Sequence, residues 1–118
     1  MEDTDQFINK FLVGNALTKL KQMEDDSVDL VITSPPYWNA VVYDKDINTD
    51  YDTYLNTLTD IFFECSRVLR PNGKMAINTP IMPVPQALIK QDVRHLKDIS
   101  ADLSDKILSN TNLNLFSV

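Results

Sequence analysis

The chain has 118 residues, 43% hydrophobic and 24% charged, the composition of one small folded domain and not of a disordered segment. Its 17 acidic and 11 basic side chains leave a net charge of −6, which argues against this chain alone binding nucleic acid by neutralising phosphates. One cysteine and one histidine exclude an internal disulfide and a Cys/His zinc cluster, and the only two glycines, Gly14 and Gly73, exclude a glycine-rich phosphate or dinucleotide loop. No apolar run approaches a membrane span, and the acidic N-terminus is the opposite of a signal peptide. These features predict a cytoplasmic location, with neither membrane nor metal as a partner.

In chain order, Phe11-Leu12-Val13 reads as a short strand closed by Gly14-Asn15. Residues 16–23 place Ala16, Leu17, Leu20 and Met23 on one helical stripe, which the acidic turn Glu24-Asp25-Asp26-Ser27 ends. Residues 28–33 form a strand whose Leu30-Val31-Ile32 is apolar on both faces, as in a central parallel strand. Ser34-Pro35-Pro36-Tyr37-Trp38 terminates it, because two prolines cannot join a ladder, and residues 39–50 read as a polar loop.

The clearest helix comes next. Tyr51, Tyr54, Leu55, Leu58, Ile61, Phe62, Cys65 and Leu69 recur at the spacing of one buried face. Thr49 or Asp50 can cap its start, Arg67 and Arg70 suit its C-terminal dipole, and Pro71-Asn72-Gly73 reads as its stop. Residues 74–78 predict a third strand and residues 79–85, with three prolines, a loop. From residue 86 to about residue 108, Ile89, Val93, Leu96, Ile99, Leu103 and Ile107 recur helically, in one piece or two, and residues 113–118 read as a strand just begun.

The order β-α-β-α-β-α-(β) predicts an α/β domain: a parallel sheet, right-handed crossovers, and helices on both faces. Function in such sheets gathers at the C-terminal ends of strands. Two such ends stand out, Gly14-Asn15 and Ser34-Pro35-Pro36-Tyr37.

The second carries the chemistry. Two prolines fix φ and remove two N–H donors, so nearby carbonyls are acceptors without competition. Ser34 adds a hydroxyl, and Tyr37 and Trp38 add flat rings. Acceptors beside a stacking ring suit a planar group bearing an NH₂, such as the amino edge of a nucleobase. Two plainer readings remain at this point: a strand terminator packed into the core, or a proline-rich docking ligand, for which Pro80-Ile81-Met82-Pro83 also has the spacing. A serine nucleophile is rejected, because the lone His95 lies far along the chain and no elbow motif surrounds Ser34.

The run Val28-Asp29-Leu30-Val31-Ile32-Thr33-Ser34-Pro35-Pro36-Tyr37-Trp38 resembles the catalytic motif of the amino-group DNA methyltransferases. Gly14-Asn15-Ala16-Leu17 resembles that family's Gly-Asp-(Cys/Ala)-Leu segment, with Asn15 in place of the commoner Asp, and residues 68–74 resemble its helix-to-strand turn. The resemblance implies a partial Rossmann-like methyltransferase fold. It also implies S-adenosylmethionine as methyl donor and duplex DNA as partner, with the target base flipped from the helix. Ser34 and the Pro35 carbonyl would accept hydrogen bonds from the exocyclic amino group, Pro36 would keep the turn rigid, Tyr37 would stack on the base, and Asn15 would lie near the cofactor adenine. A leading Ser tends to accompany N4-cytosine methylation, with N6-adenine as the alternative. Carbon-5 methylation is not expected, because its Pro-Cys nucleophile is missing.

The family also carries a Phe-x-Gly-x-Gly loop for the methionine part of the cofactor, which Gly14 and Gly73, far apart in the chain, cannot supply. Residues 1–118 are therefore expected to be the catalytic-motif part of a methyltransferase domain, without that loop and the target-recognition region. The contrasting expectation is a non-catalytic remnant or interaction domain that keeps the fold alone.

Overall fold

The computed structural model describes residues 4–36, 51–79, 81–83 and 96–115. After a 3-10 turn at Thr4–Phe7, the elements are α1 (Ala16–Lys21), β1 (Val28–Thr33), α2 (Tyr51–Val68), β2 (Leu69–Ile77), β3 (Ile81–Pro83), β4 (Leu96–Asp98) and α3 (Ile99–Asn110).

The hydrophobic stripe of α2 organises the rest. Leu55, Leu58, Phe62, Cys65 and Val68 are buried along one face, and Leu103 and Ile107 of α3 complete the core against them. β1 and β2 pair in parallel, with Val31 beside Met75 and Thr33 beside Ile77. Val31, Met75 and Ile77 turn to that core, as the two-residue alternation of a strand requires. The partial α/β arrangement is therefore present: a parallel pair of strands with helices packed on it. The opposite face stays open among the described residues, where Leu30 and Ile32 remain 52% and 73% exposed.

α1 is short and buries no residue fully; Leu20 is its contact with the core. Asn15 caps it, the side-chain oxygen accepting from the Thr18 N–H at 3.1 Å. Its far end is tied to α2 by Arg67, whose guanidinium donates to the Leu20 carbonyl at 2.8 Å, the Met23 carbonyl at 2.9 Å and Asp25 at 2.6 Å, and also pairs with Glu64. Arg67 thus satisfies carbonyls of α1 and the turn after it. Arg70 does not cap α2 either: it lies in β2 and pairs with Asp29 of β1 at 2.9 Å.

Five further sequence expectations are corrected. Phe11-Leu12-Val13 is not a strand: it pairs with no described strand and leaves Phe11 almost fully exposed. Pro71-Asn72-Gly73 does not separate helix from strand, since β2 begins at Leu69 directly after α2. Leu69 pairs with Val28, while the next partners are Lys74 and Leu30, so β2 bulges between them. Asn72 takes a left-handed φ of 68° there, which asparagine tolerates well. A Cβ on Gly73 would lie 2.8 Å from the Arg70 carbonyl oxygen and 3.2 Å from that of Asp29, so glycine permits the close approach.

The proline-bearing stretch read as a loop contains β3, which pairs antiparallel with β4. In a two-stranded sheet every strand is an edge, so Pro83 is tolerated. Leu96 is accordingly in a strand, and α3 starts only at Ile99, because the non-helical Asp98 accepts from the Ala101 N–H at 3.0 Å as its cap. Residues 113–115 form no strand. Tyr37, Trp38, the loop 39–50, Pro80, Ile89, Val93 and His95 lie outside the described residues.

Candidate active site

The C-terminal end of β1 is built by its pairing with β2. The Asn78 N–H donates to the Thr33 carbonyl at 3.0 Å, one step beyond the last paired residues. The next residue, Ser34, is exposed, and its hydroxyl donates to the Asn78 carbonyl at 3.3 Å. A hydroxyl whose proton is directed this way presents its oxygen as an acceptor on the other side.

Pro35 is buried and Pro36 exposed, so the turn is anchored by one ring and offers the other to solvent. The Pro36 carbonyl accepts from the Tyr54 hydroxyl at 2.7 Å. Tyr54 lies in the first turns of α2, its ring stacked on Tyr51 with centroids 6.2 Å apart and 28° between planes. The Tyr51 hydroxyl donates to Asp102 of α3 at 2.5 Å. Burial, then the hydrogen bond and negative charge of Asp102, push the Tyr51 phenol up from its usual range, so it stays protonated as the donor.

Of the residues singled out from the sequence, the structure brings Ser34, Pro35 and Pro36 together at the end of the strand. Asn15 belongs to a separate element, and its side-chain oxygen is taken up by the start of α1. Tyr37 lies outside the described residues. Two contributors were missed. Tyr54 follows the apolar periodicity of α2 and reads as core, although a tyrosine near a helix start carries a polar tip that can reach a strand end. Asn78 acts through its main chain, which leaves no side-chain signal; only the register of β2 against β1 could have revealed it.

Cys65 is buried in the core, and burial followed by the charge of Glu64 pushes its thiol up to about 11. A thiol held protonated and away from solvent is not a nucleophile. Among the described residues no group of His, Cys, Asp and Glu side chains is placed to hold a metal ion, and no helix is long and apolar enough to cross a membrane.

A family profile described as DNA methylase matches residues 28–112, well over half of the chain. The chain is 40% identical over 70 residues to the type II methyltransferase M.BglII of Bacillus subtilis, a match covering 59% of this chain and 19% of the relative. It is 38% identical over 69 residues to the type II methyltransferase M.HpaI of Haemophilus parainfluenzae, covering 58% and 22%. It is 37% identical over 73 residues to the DNA adenine methyltransferase YhdJ of Escherichia coli K12, covering 59% and 25%. Among solved structures, a putative DNA modification methylase from Thermus thermophilus in complex with S-adenosyl-L-methionine superposes with a TM-score of 0.67 at 28% identity, over 83% of this chain and 37% of that one. The matched region thus spans about a fifth to a quarter of the length of these curated relatives.

Proposed function

The chain belongs to the N6/N4 DNA methylase family, and from that premise we propose that it carries the catalytic-motif part of an enzyme that transfers a methyl group from S-adenosylmethionine to the exocyclic amino nitrogen of a flipped DNA base, N4 of cytosine in preference to N6 of adenine. The observation that carries this reading is the Ser34 hydroxyl, exposed at the end of β1 with its proton directed at the Asn78 carbonyl. Its oxygen and the Pro35 carbonyl form a pair of acceptors on a stretch where two prolines contribute no N–H.

An exocyclic amino nitrogen conjugated to its ring is a poor nucleophile, because its lone pair is delocalised. When both its hydrogens are held by fixed acceptors out of the ring plane, the lone pair localises and points away from them. Ser34 and Pro35 are suited to impose that geometry, and Tyr37 to stack on the base and replace part of the stacking lost on flipping, about 1–3 kcal/mol. Catalysis by this chain is then orientation and electrostatics, with no covalent bond to the protein.

Bound S-adenosylmethionine would supply an electrophilic methyl on a cationic sulfur. The residues present fit its adenine end. Asn15 spends its oxygen on α1, which leaves its NH₂ to donate to a ring nitrogen, and Gly14, with φ of 155°, turns the chain there without a side chain. The other glycine, Gly73, is closed in by the Arg70 and Asp29 carbonyls and offers no cradle. The methionine end needs residues outside those described.

The leading Ser supports cytosine; adenine is favoured by YhdJ, whose name states that base. Nucleoside mass spectrometry of DNA from cells expressing the full-length protein tests the reading. N4-methylcytosine is expected. N6-methyladenine alone would overturn the choice of base, and unmodified DNA would overturn the activity.

A further inference from the structure

We propose that Tyr54 is a positioning residue for methyl transfer: its hydroxyl, by holding the Pro36 carbonyl, fixes the direction in which the Pro35 carbonyl meets the amino group. This rests on the methyltransferase reading above, and it concerns a residue that looks like ordinary core in the sequence.

The argument is a count of torsions. Peptide planarity leaves two soft dihedrals per residue. In Ser34-Pro35-Pro36 the rings lock φ at both prolines. The ψ angles of Ser34 and Pro35 are restricted to extended values, because each precedes a proline. Two soft torsions remain: φ of Ser34, about which the rigid Pro35-Pro36 segment swings as a body, and ψ of Pro36, which is followed by tyrosine. Both set where the Pro36 carbonyl points, and the 2.7 Å bond from Tyr54 holds it.

The turn is therefore clamped at both ends. Upstream, β1 is fixed by its ladder to β2, and Ser34 donates to the Asn78 carbonyl. Downstream, Pro36 is fixed to α2 through Tyr54. Tyr54 is itself steadied by its stack on Tyr51, which α3 holds through Asp102. The Pro35 carbonyl sits between the clamps on a nearly rigid segment, so its alignment follows from theirs. The Tyr54–Pro36 bond is exposed and adds little to stability, but acceptor alignment counts steeply in a reaction where orientation supplies the rate.

The test is Tyr54→Phe in the full-length protein, which removes the hydroxyl and keeps the ring stacked on Tyr51. The expected result is kcat lowered about tenfold, with KM for S-adenosylmethionine and for DNA within about twofold of wild type. The melting temperature should stay within about 2 °C of wild type. An unchanged kcat in an enzyme that methylates DNA overturns this proposal and leaves the methyltransferase reading standing. A fall in kcat matched by a rise in cofactor KM or a large drop in melting temperature also overturns it, since a general scaffold role produces that pattern. A wild-type protein that methylates no DNA overturns the underlying reading, and this inference with it.

Discussion

Ser34 separates folding from chemistry within one side chain. Its bond to the Asn78 carbonyl is long and exposed, so losing it should alter stability by less than about 1 kcal/mol. Its acceptor oxygen, on the proposed reading, is worth most when the amino nitrogen has begun to change geometry. Ser34→Ala should then lower kcat more than it raises KM for S-adenosylmethionine, as steady-state kinetics of the full-length protein would read. A rise in KM at constant kcat would instead mark Ser34 as a binding contact. Tyr37→Ala should lose more activity than Tyr37→Phe, because stacking needs the ring and not the hydroxyl; equal losses would refute stacking.

The legibility of the site divides along the same line. The placement of Ser34, Pro35 and Pro36 at the end of β1 could be read from the sequence, because two contiguous prolines end a ladder whatever surrounds them. Tyr54 could not, because its ring obeys the period of α2 and the partner of its hydroxyl is set only when the helix packs beside β1. Asn78 could not, because any residue at that register would offer the same carbonyl.

At the scale of elements, α2 was the most legible, and β2 was legible only from Lys74 onward. A single amphipathic helix declares its buried face by periodicity, and Leu55, Leu58, Phe62 and Cys65 are buried as that periodicity requires. Pro71-Asn72-Gly73 has turn chemistry, and locally that reading is sound. Pairing of Leu69 with Val28 outweighs it, and the turn residues become a bulge inside the strand. The bulge gives Gly73 a measurable role. Gly73→Ala drives a methyl group onto two backbone carbonyls that cannot move aside as a side chain would. We expect destabilisation of about 1–3 kcal/mol in urea unfolding. A change within about 0.5 kcal/mol would mean that the bulge relaxes freely. Arg67 teaches a related lesson: a cation in the last turn of a helix reads as a partner for that helix's dipole, yet two of its donors reach carbonyls of α1 and the turn after it.

Across the whole molecule, the alternation of helix and strand from α1 to β2 was legible, and the β3–β4 pairing was not, since the prolines between residues 79 and 85 suppress any strand reading. The same scale decides what the 118 residues can do by themselves. On the proposed reading Asn15 meets only the adenine end of S-adenosylmethionine, and neither glycine provides a turn for the methionine end, where carboxylate and ammonium groups would stay in water. Half a pocket recovers little of the entropy lost on ordering the ligand. The net charge of −6 weakens contact with DNA phosphates. The open sheet face with Leu30 and Ile32, together with exposed Phe11 and Val13, favours self-association over ligand binding. Isothermal titration of the isolated chain with S-adenosylmethionine should therefore show no micromolar binding, that is, less than about 8 kcal/mol of affinity. A micromolar dissociation constant for the monomer would mean that these residues complete the cofactor pocket unaided, and the assignment of its methionine end to residues outside those described would fall.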